Sequence, residues 1–276
     1  MIRVLEWFNW LTTAGFTLLL APFRSLAPAW PVAFVSLLTA LLMLWAYRRV
    51  SDQDALGVVR NRLRAHLLAL RLFGHDSLVI LRVQASVLRD TGVYLRLSLL
   101  PVAVMTLPLL VILSQLNLRF SARPLAQGES ATVTVRLAVP TDAATAPAIA
   151  PSRNLAVETP PVRMPARREI SWRIRALAEG DGFLSFQWQG QEYRKRVAVG
   201  GRWAPAPRAR GATVIDVLTN PAERPLDSAL SVRSIEVAYG DLEVRVFGWE
   251  ADWLVLFLLE TLAFALLLKR PLRVEI

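Results

Sequence analysis

Cysteine is absent from this 276-residue chain, which excludes disulfides, thiolate metal sites and cysteine nucleophiles. Histidine is nearly absent. The two present, His66 and His75, stand nine positions apart with no set of carboxylates at ligand spacing, so no metal and no cofactor are expected. His66 reads as a residue tolerated near a helix seam, and His75 as part of a turn. Also missing are a GxGxxG turn after a strand, a Walker loop and a GxSxG elbow. The acidic residues beyond position 118 are scattered among arginines rather than paired. An enzyme needs a nucleophile with its base, a metal set or paired carboxylates in a pocket. With none of these legible, the chain is not expected to be an enzyme.

Charge of either sign is missing from residues 31–47 and 97–118, and residues 253–268 carry only Glu260. At a rise of about 1.5 Å per residue, such runs cross most of a hydrocarbon core about 30 Å thick, and a helix satisfies its own backbone there. Hydrophobic residues make up 54% of the chain, more than one soluble core needs. Three spans follow, at 30–47, 97–118 and 251–268. Pro101 and Pro108 predict a kinked second span, because a neighbouring helix can take up the freed carbonyls. Trp7, Trp10, Trp30, Trp45, Trp249 and Trp253 lie in or beside the apolar segments, as an interfacial belt requires.

The formal charge of +10 invites a nucleic-acid role, but its distribution points to topology. Residues 48–96 hold nine arginines against four aspartates, whereas 119–252 hold 18 basic against 15 acidic residues. A short basic loop marks the cytoplasmic side, and Lys269, Arg270 and Arg273 in the tail 269–276 agree with it. The lipid bilayer is therefore the expected partner, with no DNA. A bacterial inner (plasma) membrane is the expected location, with hairpin and C-terminus cytoplasmic.

Residues 1–24 either lie in the interface or span. Glu6, Asn9, Thr13 and Thr17 fall on one helical stripe opposite Val4, Trp7, Phe8, Leu11 and Leu18. Residues 48–96 read as an antiparallel helical hairpin. Leu56, Val59, Leu63, Leu67 and Leu70 form one apolar stripe, "GHDS" at 74–77 the turn, and Leu81, Ala85 and Leu88, flanked by Ile80, Val83 and Val87, the facing stripe. Residues 119–200 change character. Alternating runs at 131–139, 169–177, 183–189 and 192–199, with a turn at 179–182 and a loop at 140–151, predict a small β-sandwich. Residues 201–250 read as a linker at 202–210 and a terminal hairpin over 234–249. The fold class is an α-helical integral membrane protein with three spans and an N-terminal amphipathic helix. It carries a cytoplasmic helical hairpin and an inserted extracytoplasmic all-β sandwich.

Glu260 is the strongest anomaly. An ionised carboxylate facing lipid costs a few kcal/mol, so Glu260 should face another helix or a wetted cavity, or be protonated. Ser36, Thr39 and Thr106 are candidate companions in a polar intramembrane groove, with Thr106 or Thr39 favoured on depth. Interhelical hydrogen bonding alone is the plainer alternative. Arg60, Arg62, Arg64, Arg71, Arg82 and Arg89 lie off the hairpin seam. They form either a solvated face beside anionic lipid or a docking surface for ribosomal RNA or an acidic partner.

The amphipathic stretch before Pro22, the hairpin "NRLRAHLLALRLFGHDSLVILRVQASVLRDTGVYLRLSLLP" and the proline-bearing second span together resemble the YidC/Oxa-type insertase superfamily. The likeness is to its small three-span members, in which a coiled-coil hairpin joins the first two spans. It is architectural and covers about half the chain. It implies non-enzymatic assistance to insertion or folding of membrane proteins, through a water-containing groove and a hairpin that receives the client. Nascent membrane proteins, the ribosome and other membrane proteins are the implied partners. The rival class is a membrane-anchored extracytoplasmic binding or scaffold protein that uses the β-sandwich.

Overall fold

The computed structural model describes residues 2–72, 77–138, 147–213, 216, 219–227, 231–246 and 248–271. The turn expected at 74–77 falls, with His75, largely outside the described residues, as do the first part of the expected 140–151 loop and the tail beyond Pro271. Two compact units make up the chain, residues 1–33 with 111–257, and residues 34–110 with 258–276.

Five helices are described in the chain. α1 runs Ile2–Leu20 and ends in a 3-10 turn at Ala21–Phe23, where Pro22 removes a donor. α2 is Ala29–Val50, α3 Gln53–Leu72, α4 Ser77–Phe120 and α5 Trp253–Leu268. Among the described residues α2 and α4 are long and apolar enough to cross a membrane, while α5 is an apolar helix of 16 residues. α4 continues unbroken through Gly92, Pro101 and Pro108, so the segment expected as a second hairpin arm and the second apolar block are one helix of 44 residues.

The first unit holds α1, the ends of α2, α4 and α5 at residues 29–33, 111–120 and 253–257, and all the strands. One sheet has the order β3-β5-β1-β9-β8, with β4 also on β5: Leu155–Val157, Glu169–Ala176, Ser130–Leu137, Val232–Val237, Ala209–Gly211 and Val162–Met164. The other has the order β2-β6-β7, Ala148–Pro151, Gly180–Trp188 and Gln191–Val199. Among the described strands every strand-to-strand pairing is antiparallel.

Side-chain period two puts alternate residues of each strand into one core. Val133, Val135 and Leu137 of β1 and Ile170, Trp172 and Ile174 of β5 are buried with Leu184 and Phe186 of β6 and Val197 and Val199 of β7. The rings of Trp172 and Phe186 meet at 5.6 Å across the two sheets. β6 and β7 are joined by Gln189 and Gly190, at φ 49° and 76°. Two successive left-handed residues match the twist of the strands they join.

Three sequence expectations give way here. Residues 234–249 do not form a hairpin with each other: β9 pairs with β1 and β8, and β10 (Val244–Val246) pairs with β11 (Trp249–Ala251) instead. Val232, Ile235 and Val237 bury more apolar surface inside the large sheet than an isolated hairpin could offer. Residues 202–210 are not a free linker. Trp203 is buried against Phe120 with rings 5.6 Å apart, the Ala206 N–H donates to the Leu118 carbonyl at 3.0 Å, and β8 begins at Ala209. Part of the 140–151 loop is strand β2, paired with β6.

In the second unit the His66 Nε2 and Asp90 Oδ2 atoms lie 3.1 Å apart, linking α3 to α4. The α4 face that meets α3 therefore carries Ser86, Asp90 and Val93, which border a small cavity with Val59, Arg62, His66 and Arg89. Leu81 and Leu88, expected to form the seam, are 63% and 74% exposed. The half-buried residues of α4 here are Val83, Ser86, Val87 and Asp90, three or four apart, so the helix turns this neighbouring stripe inward in place of Leu81, Ala85 and Leu88.

Candidate functional site

Two polar sites rise from this framework, one in each unit. In the second unit, α2 presents Ser36 and α5 presents Glu260, and the Ser36 hydroxyl donates to Glu260 Oε2 at 3.0 Å. Ser36 is fully buried. Thr39 is buried as well, but its hydroxyl donates to the Val35 carbonyl at 2.7 Å, within α2. Thr106 is exposed and donates to the Val102 carbonyl at 2.8 Å. Of the four groove candidates the structure thus joins Ser36 and Glu260 and leaves Thr39 and Thr106 on their own helices. The favoured companions of Glu260 were the threonines. A helical threonine can satisfy its hydroxyl on the carbonyl four residues back, which removes the need for a partner on another helix.

Arg60, Arg62, Arg64, Arg82 and Arg89 are exposed, and the Arg71 side chain lies outside the described residues. Arg62 and Arg89 border the cavity beside the His66 and Asp90 contact, about 280 Å³ in volume. His66 has a specific partner, Asp90, that sequence spacing alone did not reveal.

The larger site is in the first unit. A cavity of about 960 Å³ is bounded on one side by α1 and the turn after it, and on the other by Arg196 and residues 221–225. The polar stripe Glu6, Asn9, Thr13 and Thr17 faces this cavity, together with Trp7, Trp10 and Leu18. A second cavity of about 300 Å³ shares Thr17 and Arg24 with the first and reaches Arg119 and residues 201–205.

Arg119 is the residue that sequence reasoning missed. It follows directly on the charge-free block and reads there as a boundary residue, yet it is 1% exposed. One guanidinium nitrogen donates to Gln115 Oε1 at 2.7 Å and to the Gln115 carbonyl at 3.1 Å. The other donates to Thr17 Oγ1 at 2.9 Å and the Thr13 carbonyl at 3.1 Å. The Gln115 amide in turn donates to Thr12 and Thr13 hydroxyls at 3.2 and 3.0 Å. The guanidinium also lies over the Phe16 ring, 5.9 Å from its centroid. Every one of these partners is neutral, and among the described residues no carboxylate lies within 4 Å of Arg119. The usable signal was Gln115 and Arg119 four apart on a helix, facing a threonine stripe four apart on another.

The far wall is held by a buried ion pair. Lys195 is completely buried; its ammonium donates to the Pro207 carbonyl at 2.7 Å and to Glu223 Oε2. The other Glu223 oxygen accepts the Arg196 N–H at 2.7 Å. Burial lowers the Lys195 pKa, an effect that the Glu223 charge opposes and nearby Arg210 and Arg196 reinforce. Arg196 makes a forked contact to Asp181 at 2.8 to 3.0 Å, and Arg210 donates to the Arg224 carbonyl at 2.7 Å. Fixed pairs therefore clamp residues 221–225, while Arg24 and Arg224 remain exposed at the cavity.

Among the described residues no group of three or more His, Cys, Asp or Glu could hold a metal ion. The arrangement offers hydrogen bonding, positive charge and apolar surface, and no nucleophile paired with a base. The chain matches no protein-family model, no curated protein and no solved structure.

Proposed function

We propose that the protein is an integral membrane protein that assists insertion or folding of other membrane proteins. In this reading α2, α4 and α5 are the three spans, α3 with the first part of α4 is the cytoplasmic hairpin, and the two-sheet region is an extracytoplasmic sandwich. The likeness to the YidC/Oxa superfamily is one of architecture. The single observation that carries the reading is the hydrogen bond between Ser36 and Glu260, which puts an ionisable group between two apolar helices. Such groups in spans line polar paths or receive polar guests more often than they face lipid. The flanking surface supports it, since Leu99, Val102, Leu107 and Leu110 of α4 and Leu258, Leu259 and Leu262 of α5 are exposed and suit lipid or an apolar client segment. The arginine-bearing hairpin would then meet the ribosome or the emerging chain.

Photo-crosslinkers placed at Thr39, Thr106 and Glu260 during synthesis of a nascent membrane protein test this. Adducts to the nascent chain are expected, and their consistent absence sinks the reading. A second reading, a membrane-anchored extracytoplasmic binding protein, is favoured by the 960 Å³ cavity beside α1. It would instead give adducts from Thr13 or Trp10 to a partner and none from Glu260.

A further inference from the structure

We propose that the cavity between α1 and residues 221–225 is a binding site for one anionic amphiphile, with a phosphate-bearing headgroup held by Arg24 and Arg224. The inference rests on α2 and α4 crossing a bilayer, and not on any role in insertion. Its first support is charge. Arg24, Arg196 and Arg224 border the cavity, and Arg119 borders the adjoining one that shares Arg24. Arg24, Arg119 and Arg224 have no carboxylate within 4 Å among the described residues. The opposing charges are Asp181, Glu223 and Glu6, and Asp181 is taken up by its forked contact with Arg196, which leaves Arg24 and Arg224 for a ligand. Glu223 is committed to Lys195 and the Arg196 N–H. Glu6 precedes Arg24 by 18 positions, roughly 25 Å along a helix, so it lies toward the other end of the α1 wall.

The second support is Arg119 itself. A buried cation surrounded only by neutral acceptors is costly unless an anion is near, and a guanidinium is suited to phosphate. The third is the apolar side. Trp7, Trp10 and Leu18 border the same cavity, and Trp7, Trp10 and Leu18 are 62%, 66% and 79% exposed. Exposed tryptophans on a helix with one polar face belong at headgroup depth. Depth agrees by chain position, because Arg119 is the penultimate residue of α4 and immediately follows its charge-free block. The volume of 960 Å³ accommodates a headgroup with the first part of its acyl chains, at the upper end of ligand pockets. A soluble phosphate would use the arginines and leave the tryptophan side unfilled.

Native mass spectrometry of the full-length protein from detergent micelles tests this, using dioleoyl phosphatidylglycerol, dioleoyl phosphatidylcholine and glycerol 1-phosphate as separate probes. One phosphatidylglycerol per chain is expected to persist at activation that strips phosphatidylcholine, and glycerol 1-phosphate is expected not to displace it at equal concentration. The double variant R24Q/R224Q should reduce phosphatidylglycerol retention about tenfold or more, as losing two headgroup-facing charges implies. The control R163Q/R167Q removes the same charge from exposed positions outside the cavity and should retain the lipid. Equal retention of both lipids, equal loss in the control, or no loss in R24Q/R224Q overturns the proposal. Displacement by glycerol 1-phosphate at equal concentration overturns the lipid assignment in favour of a soluble phosphate.

Discussion

Lys195 and Glu223 show how single residues set the shape of the larger site. With the ammonium fully buried and Glu223 accepting from both Lys195 and the Arg196 N–H, removing the acid leaves a charge in the core. E223Q should destabilise the first unit by about 3–5 kcal/mol, and K195M/E223Q should recover most of that, because it removes the stranded ammonium while the glutamine oxygen still accepts the Arg196 N–H. Thermal unfolding of the three proteins in one detergent checks the order. The Lys195 pKa is lowered by burial, so the unfolded chain binds more protons between the folded value and 10.5. Wild type should therefore gain stability relative to K195M as pH rises toward 10.5; a constant difference would show that the lysine is not desolvated. Neither Lys195 nor Arg119 was legible as a buried residue. Lys195 sits in a polar-looking run, "EYRKRVAV", whose alternation identifies an inward face without saying that a lysine on it has an acid waiting 28 residues later.

At the level of elements, legibility followed length and period. β1, β5, β6 and β7 have eight or nine residues each, enough alternation to read from sequence, and they lie within a few residues of the expected runs. β2, β3, β4 and β8 have three or four residues, too few for a period to emerge, and they owe their existence to the longer strands they join. β9 was readable as a strand but not in its pairing, since partner choice depends on the buried face of β1, about 100 positions earlier. Helices α3 and α4 were readable as helices, while the face that α4 turns inward was not, because two apolar stripes, Leu81–Ala85–Leu88 and Val83–Val87, lie side by side on it and period alone does not choose between them. The turn between β6 and β7 can be tested on its own. Gly190 has φ 76° with open space around its missing side chain, so backbone conformation alone decides the outcome. G190V should cost about 1–2 kcal/mol or more through the left-handed conformation, and G190N distinctly less; equal losses would mean that volume and not φ governs the site.

For the molecule as a whole, composition made the helices plus an all-β region legible. Charge-free blocks are a strong one-dimensional signal, and the structure gives α2 and α4 as helices long and apolar enough to cross a membrane. The candidate sites were legible in part. Glu260 stood out because one carboxylate in an apolar run is conspicuous, and the α1 stripe because its polar residues fall three or four apart. The cavity which that stripe borders was not foreseen, because its opposite wall, Arg196 and residues 221–225, comes from far along the chain. The proposed topology puts the α3 region and the strands on opposite sides of a membrane. The missing cysteines make this directly measurable, since any single introduced cysteine is the only thiol. Arg64→Cys and Arg163→Cys, exposed in α3 and β4, should be treated with a membrane-impermeant maleimide in intact cells and again after permeabilisation. The account predicts labelling of Arg163→Cys in intact cells and of Arg64→Cys only after permeabilisation; labelling of both, or of neither, in intact cells would contradict it.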